Sequence, residues 1–128
     1  RLASARIGHY RMSLDTFVEP YIRPQENANR TGIRWMQLTD PEGQGIRITS
    51  VGQPLECSAW PYDQATLEAA RHTTDLTPSG TITLNIDQAQ MGVGGTDTWT
   101  IKAAPLPVYR LPARPGQYTF QLDPIRIP

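Results

Sequence analysis

Short runs of alternating apolar and polar residues cover much of this chain, a pattern typical of β-strands with one face toward a core. The clearest run is Gln117 to Leu122, in which Tyr118, Phe120 and Leu122 alternate with polar residues. Gly32 to Thr39 instead has apolar side chains on both faces, which predicts a strand covered on both sides. Further strands are predicted over residues 5–12, 45–51, 55–60 and 81–90, with an edge segment at 108–111. The Pro and Gly content of residues 40–45 predicts a hairpin turn that pairs residues 32–39 with residues 45–51 in antiparallel orientation.

One longer segment, Asp63 to His72, has the pattern of an α-helix. Asp63 is a favourable N-cap, the interior is rich in Ala and Leu, and Arg71 and His72 stand where the helix C-terminus favours positive charge. Ser13 is placed to cap a single helical turn before Phe17. The sequence therefore predicts one short helix and at most an isolated turn of another.

Composition narrows the fold class further. Twelve prolines and ten glycines among 128 residues disfavour helices, because Pro lacks an amide donor and Gly loses backbone entropy. Together with the strand pattern, this predicts an all-β fold, an antiparallel β-sandwich, as one domain over residues 1–128.

Charge and hydropathy exclude several classes of partner. Twelve basic and twelve acidic residues balance, which argues against nucleic acid as a partner. No apolar run approaches the roughly 20 residues of a membrane span, and no signal peptide is visible. The chain begins at Arg1 rather than Met, as expected of a segment of a longer protein, so the compartment stays open between cytoplasm and periplasm.

Candidate metal ligands and nucleophiles are sparse. Cys57 is the single cysteine and lies in a strand-like segment, which predicts a buried, unreactive thiol. His9 and His72 are far apart and lack acidic neighbours at ligand spacing, so neither metal nor cofactor is predicted in this domain.

The carboxylates do not form a catalytic pair in the sequence. Glycoside hydrolysis needs two carboxyl groups about 5 to 10 Å apart, one of them held protonated by its surroundings. Glu26, Asp87 and Asp97 are the candidates. Asp87 lies in a predicted strand, where it is expected to face outward or to bond a neighbour, and Glu26 and Asp97 lie in loops, where they are better explained by bonds to backbone amides or to arginine. We therefore predict no catalytic residue in this chain and no hydrolase activity of the 128 residues alone.

A glycine-rich stretch ahead of a tryptophan is the most distinctive local feature. Gly92, Gly94 and Gly95 follow the predicted strand over residues 81–90 and precede Trp99, so a tight turn is expected to present the indole. An exposed indole stacks on a sugar, a base or a partner side chain. The alternative is that Trp99 folds back into the core, as expected for Trp35 and Trp60.

Four blocks in this chain resemble the C-terminal region of the large β-galactosidases of glycoside hydrolase family two. Met91 to Trp99 carries the glycine-rich signature, and Pro20 to Trp35 resembles that family's Pro-Gln-Glu-Asn-Gly-Asn-Arg stretch, with Ala28 in place of the glycine. Gln53 to Leu55 ahead of Ser58, and Tyr109 to Pro112, are shorter matches in the same order. The resemblance covers nearly the whole chain.

The resemblance implies a fold, a division of labour and a set of partners. The fold is the C-terminal half of a β-supersandwich similar to galactose mutarotases, which leaves some strands without their native neighbours. The catalytic glutamates lie in an upstream (β/α)₈ barrel of the same chain. A β-galactoside is the ligand, the full-length enzyme is a homo-oligomer, and any Mg or Na belongs to the full-length enzyme rather than to this domain.

The resemblance also implies a role for individual residues. Trp99 matches the tryptophan that reaches the active site and forms the platform for the leaving sugar. Thr96 stands where an acid is usual, and Thr98 keeps the hydroxyl of the usual serine. The residues expected to support the Trp99 loop are Gly92, Gly94, Gly95, Asp97, Asn27 and Arg30.

Three hypotheses for function follow. The first is the C-terminal domain of a β-galactosidase, which forms one wall of an active site. The second is a stand-alone carbohydrate-binding or partner-binding β-sandwich, and the third is structural packing within a larger chain. The length of the full gene product separates the first from the second.

Overall fold

The computed structural model describes residues 6–91 and 99–126. Over these residues it is all-β, with mostly antiparallel strands in two three-stranded sheets, and only short helices. The all-β prediction is confirmed. The strands are β1 Arg30–Ile33, β2 Trp35–Thr39, β3 Gly45–Val51, β4 Leu55–Trp60, β5 Thr83–Asp87 and β6 Thr119–Ile125. The helices are α1 Leu14–Phe17 and α2 Gln64–Ala69, with 3-10 turns at Thr73–Asp75, Ile101–Ala103 and Pro107–Tyr109.

The chain divides into two compact units. The first contains Arg1–Ile33 and Glu56–Ile86, and the second contains Arg34–Leu55 and Asp87–Pro128. One sheet has the strand order β1-β4-β5, and the other has the order β2-β3-β6.

The central strand β4 forms the core of the first unit. Cys57, Ala59 and Trp60 are at most 1% exposed, and Ser58 between them is also buried. Burial of successive residues means that both faces of the strand are covered, because neighbouring side chains point in opposite directions. The Asn85 amide of β5 donates to the Ser58 hydroxyl at 3.2 Å, so the buried serine has a partner. Cys57 is a buried thiol, as predicted.

Helix α2 begins as predicted and ends earlier than predicted. The backbone N–H of Thr66 donates to the Asp63 carboxylate at 2.7 Å, which is an N-cap bond. The helix stops at Ala69, and the amides of Arg71 and His72 donate to the Asp75 carboxylate at 2.9 Å each. Arg71 and His72 therefore lie beyond the helix, because Asp75 binds the amides that would have continued it.

The second unit contains an antiparallel sheet whose register is fully defined. Trp35 lies opposite Thr49, and Ile48 lies opposite both Met36 and Leu122. The β2–β3 turn is closed by Asp40, whose backbone N–H donates to the Gln44 carbonyl and whose carboxylate accepts from the Gln44 N–H, both at 2.8 Å. The predicted hairpin is confirmed, and Ile48 is completely buried in the middle of the sheet.

Several predicted strands differ from the structure. Residues 7–12 form no strand, and the segment near 108 forms a 3-10 turn rather than an edge strand. The predicted strand over residues 32–39 is two strands in different sheets, β1 and β2. The two strands are separated at Arg34, and Gly32 within β1 has a φ of +68°, a left-handed conformation that glycine adopts without steric cost.

Candidate functional site

Trp99 is the most exposed tryptophan of the described residues. Its side chain is 84% exposed, whereas Trp35 is 37% and Trp60 is 1% exposed. Trp99 is therefore not a core residue. Trp60 is buried as predicted, whereas Trp35 lies half-exposed on a sheet surface with the Arg47 guanidinium 4.7 Å from its ring centroid.

The chain that follows Trp99 is held by a short 3-10 turn. The backbone N–H of Ala103 donates to the Thr100 carbonyl at 3.0 Å, and the Ala103 methyl is buried. Ile101, the first residue of this turn, is 93% exposed. A buried alanine thus anchors this end of the segment while the two large side chains before it, Trp99 and Ile101, project into solvent.

The loop residues that were expected to support Trp99 fall outside the described part of the chain. These are Gly92, Gly94, Gly95 and Asp97, together with Thr96 and Thr98. Their role stays a prediction. Met91 is the last described residue before them. It lies near Leu111, whose backbone N–H donates to the Met91 Sδ atom at 3.5 Å.

Asn27 organises the other motif-bearing loop. Its Oδ1 accepts from the Glu19 N–H at 3.0 Å, and its amide donates to the carbonyls of Glu19 and Gln25 at 3.1 Å each. One side chain therefore binds together two loop segments eight residues apart. The amide is committed to these backbone groups, which the sequence alone did not reveal.

Arg30 is held in the same loop by three contacts. Its guanidinium donates to the carbonyls of Ala28 at 3.0 Å and Phe17 at 3.3 Å, and its carbon lies 4.4 Å from the centre of the Phe17 ring. These contacts fix β1 to the end of α1. The predicted bracing of Asp97 by Asn27 and Arg30 stays untested, since Asp97 lies outside the described residues.

Ala28 has an unusual backbone conformation within this loop. Its φ is +61°, and it is the non-glycine residue with positive φ among those described. Its side chain is 8% exposed. The left-handed region is unfavourable for a residue with a Cβ atom. The resemblance described above implies a glycine at this position, and glycine adopts positive φ without this cost.

Several carboxylates of the first unit accept hydrogen bonds from nearby side-chain or backbone donors. The Gln64 amide donates to Glu26 at 3.0 Å and to Glu68 at 3.3 Å, and the Asn29 amide donates to Glu56 at 2.6 Å. Asp63 and Asp75 have lowered pKa values because backbone N–H groups of Thr66, and of Arg71 and His72, stabilise the charged carboxylates. A general acid needs the opposite shift.

Metal-binding and membrane-spanning features were also searched for in the described residues. Over residues 6–91 and 99–126, no group of three or more His, Cys, Asp and Glu side chains is arranged to hold a metal ion. No helix in the same ranges has the length and hydropathy needed to cross a bilayer.

The first unit also contains a cleft of about 330 Å³. Tyr21, Trp60 and Tyr62 line it together with Asp15 and Glu19. The indole Nε1 of Trp60 is buried without a hydrogen-bond partner. The local sequence pattern does not reveal this cleft, because its walls come from two segments, residues 15–27 and 60–76, that are separate in the chain.

Comparison with known proteins gives consistent matches. Residues 1–122 match a protein-family model described as beta galactosidase small chain. A Beta-galactosidase of Halalkalibacterium halodurans is 38% identical over 99 residues, which cover 77% of this chain and 10% of that protein. One from Priestia megaterium is 37% identical over 126 residues, covering 98% and 12% respectively. One from Lactobacillus delbrueckii subsp. bulgaricus is 43% identical over 105 residues, covering 82% and 10%. The chain thus spans about a tenth of the length of these relatives.

Proposed function

The chain belongs to the β-galactosidase small-chain family, and from that premise we propose that it is the C-terminal part of an enzyme that hydrolyses terminal β-galactosides such as lactose. In this proposal the chain shapes the active site and supplies Trp99 as an aromatic platform for the leaving sugar. The bond-breaking glutamates lie in an upstream barrel domain of the same polypeptide.

The exposure of Trp99 is the observation that carries the proposal. An indole that is 84% exposed has a large apolar surface in contact with water, and the apolar face of a pyranose can cover it. The 3-10 turn at Ile101–Ala103, in which Ala103 is buried, holds the backbone that follows Trp99. Stacking of an aromatic ring contributes about 0.5 to 1.5 kcal/mol beyond the area buried, which corresponds to roughly 2- to 13-fold in affinity.

The carboxylates support the assignment of catalysis to another domain. Glu26 accepts a hydrogen bond from Gln64, and Glu56 accepts one from Asn29, so both have structural partners. Asp63 and Asp75 have lowered pKa values and remain charged at neutral pH. A general acid for glycoside hydrolysis must hold its proton near neutral pH, and neither aspartate does so.

Substitution of Trp99 in the full-length enzyme tests the proposal. We expect Trp99→Ala to raise KM for lactose about tenfold, because the sugar loses its stacking partner in the ground state and in the transition state. The effect on a nitrophenyl galactoside should be much smaller, because its activated leaving group depends less on the platform. Trp35→Ala is the matched control, since Trp35 is exposed on a sheet that has no assigned site. Equal losses on both substrates would refute the platform role.

A further inference from the structure

The cleft of the first unit has an apolar floor and a polar rim. Its floor consists of three lining residues that are buried, Pro24, Trp60 and Leu67. Its rim consists of exposed lining residues with polar side chains, which include Asp15, Glu19, Tyr21 and Gln25. The volume of about 330 Å³ is at the lower end of the range of about 300 to 1,000 Å³ that is typical of small-ligand sites. Such sites are mostly apolar and carry a few polar groups, as this cleft does.

Hydrogen bonds hold both walls of the cleft in place. Asn27 closes the wall formed by residues 15–27, because its side chain binds both the N–H and the carbonyl of Glu19. In the other wall, the Thr83 hydroxyl donates to the Tyr62 carbonyl at 2.6 Å. A cleft with walls that are already ordered loses less conformational entropy when a ligand binds.

Three polar groups of the cleft have no hydrogen-bond partner in the described part of the chain. The Trp60 Nε1–H is buried there without an acceptor. The carboxylates of Asp15 and Glu19 neither accept a hydrogen bond nor form an ion pair within the same residues. A buried donor without an acceptor is unfavourable, so a ligand that brings an acceptor to Trp60 gains from removing that cost.

We propose that this cleft binds a pyranose sugar, in addition to the platform proposed for Trp99. The hydroxyl groups of the sugar donate to Asp15 and Glu19, and a hydroxyl oxygen accepts from the Trp60 Nε1–H. The apolar face of the ring lies on the floor of the cleft. Because Nε1 is covered, neighbouring side chains shift to admit the oxygen, and rotamer changes of this kind are common on binding.

An organic cation matches the cleft less completely than a sugar does. The aromatic rings of Tyr21 and Tyr62 together with two carboxylates would suit an ammonium group, and the described lining residues include no lysine, arginine or histidine. A quaternary ammonium, however, has no acceptor for the Trp60 N–H and no donor for the carboxylates. A sugar hydroxyl supplies both.

Hydrogen–deuterium exchange of the full-length enzyme with galactose tests the proposal, in a Trp99→Ala background that removes the proposed platform. We expect about 100 mM galactose to slow exchange in residues 15–27 and 60–76 at least about threefold, because bound sugar opposes opening of both walls. Galactitol has the hydroxyl groups but no pyranose ring, and it should slow exchange by less than about 1.5-fold.

Two outcomes of this experiment would overturn the proposal. One is exchange that galactose leaves unchanged in both segments. The other is equal slowing by galactose and galactitol, which would show an effect of hydroxyl groups without a site for the ring. Slowing by tetramethylammonium in the absence of any effect of galactose belongs to the first outcome, and it would assign the cleft to an organic cation.

Substitution of the two rim carboxylates tests their role as acceptors. Asp15→Asn combined with Glu19→Gln removes both charges and keeps the size of the side chains. We expect this double variant to need about tenfold more galactose for the same slowing, because hydrogen bonds to charged acceptors are the stronger ones. Glu42→Gln changes an exposed carboxylate in the β2–β3 turn and should need the same galactose concentration as the unsubstituted enzyme. Equal requirements in the double variant and in this control would contradict the proposal.

Trp60→Phe isolates the contribution of the indole N–H, since it keeps an aromatic ring at the floor. We expect it to need about threefold or more galactose for the same slowing, because one hydrogen bond to the sugar is lost. Protected amides in β4 would show that the variant is folded, and the carboxylate variants decide the question if it is not. Exchange is read at the cleft itself, so failure of this proposal is distinguishable from failure of the platform role, which is read from galactoside kinetics.

Discussion

At the scale of single residues, Ala28 shows the strongest local conflict between sequence and backbone. Its φ of +61° lies in the left-handed region, which costs an L-residue about 1 to 2 kcal/mol. The loop accepts the conformation because the Asn27 amide donates to the Gln25 carbonyl and the Arg30 guanidinium donates to the carbonyl of Ala28 itself. The resemblance in the sequence indicated only that Ala28 stands in place of a glycine. The hydrogen bonds that hold the turn depend on the fold and could not be predicted from the sequence.

We therefore expect Ala28→Gly to be nearly neutral for stability. Relief of the left-handed strain offsets the loss of a buried methyl group, about 0.8 kcal/mol, and the backbone entropy of glycine, about 0.5 to 1 kcal/mol. Ala59→Gly is the control, since Ala59 is completely buried in β4 and gains no such relief. Urea denaturation should show Ala59→Gly to be less stable by about 1 kcal/mol or more, and equal losses would contradict the strain at Ala28.

The N-cap bond of Asp63 makes the stability of the folded chain depend on pH. The Thr66 N–H lowers the pKa of the folded-state carboxyl below its ordinary value of 3.8. The carboxylate therefore stabilises the folded state above that value, and the contribution is lost as the pH falls through the folded-state pKa. We expect Asp63→Ala to lower Tm at pH 7 and the gap from the unsubstituted chain to narrow in acid. A gap of constant size across the pH range, or the same behaviour in the exposed Glu42→Ala control, would contradict this account.

At the scale of secondary-structure elements, the sequence predicted the strands that are specified by neighbouring residues, through alternation or through turn residues. The alternation in β6 and the turn residues between β2 and β3 were sufficient, because each specifies its own geometry. Residues 7–12 alternate as well but form no strand, and Ile7 is 81% exposed. A strand also needs a neighbour to bond with, and no local pattern identifies that neighbour.

The alternation in β6 also shows that a sequence pattern does not determine how exposed the apolar face of a strand is. It placed Tyr118, Phe120 and Leu122 on one face correctly, and the register confirms that Phe120 and Leu122 share a face. The exposure of that face depends on what packs against it, which is a property of the tertiary structure. The two-sided pattern at residues 32–39 likewise predicted a strand covered on both sides, whereas Trp35 in β2 is 37% exposed.

The close approach of β2 and β3 makes Gly45 the most sensitive position of the hairpin. A Cβ atom at Gly45 would collide with the Leu38 carbonyl oxygen and lie 2.8 Å from the Thr39 Cα. We expect Gly45→Ala to destabilise the chain by about 2 kcal/mol or more, because backbone atoms must move. Gly52→Ala is the control: it has φ of +85° but open space around it, so only the backbone strain of about 1 to 2 kcal/mol applies. A smaller loss at Gly45 than at Gly52 in urea denaturation would contradict the close approach.

At the scale of the whole molecule, the chain corresponds to about a tenth of the length of its β-galactosidase relatives. The family and the all-β class were predictable from four motif blocks and from strand pattern. The position of Trp99 relative to a sugar was not, because this chain spans only about a tenth of the relatives' length. The partners of Asn27 and Arg30 were also hidden, since they are backbone carbonyls and an amide brought near by folding.

We expect the purified 128-residue chain to show no hydrolysis of a nitrophenyl galactoside. Among the described carboxylates, Glu26 and Glu56 accept hydrogen bonds from side-chain amides, and Asp63 and Asp75 have lowered pKa values, which is the opposite of the shift that a general acid needs. The full-length enzyme at equal concentration is the positive control. Turnover that copurifies with the isolated chain through two chromatographic steps would contradict the division of labour.

The most direct test of the platform role is the partition of the galactosyl intermediate between water and an added acceptor sugar. In the full-length enzyme, the ratio of transfer to hydrolysis should rise with glucose concentration, because glucose stacks on Trp99 before it attacks. We expect Trp99→Ala to require about tenfold more glucose for the same ratio, and Trp99→Phe to lie between the two, since it keeps an aromatic face. The Trp35→Ala control should match the unsubstituted enzyme. An unchanged partition ratio in Trp99→Ala would contradict the claim that this chain provides the platform.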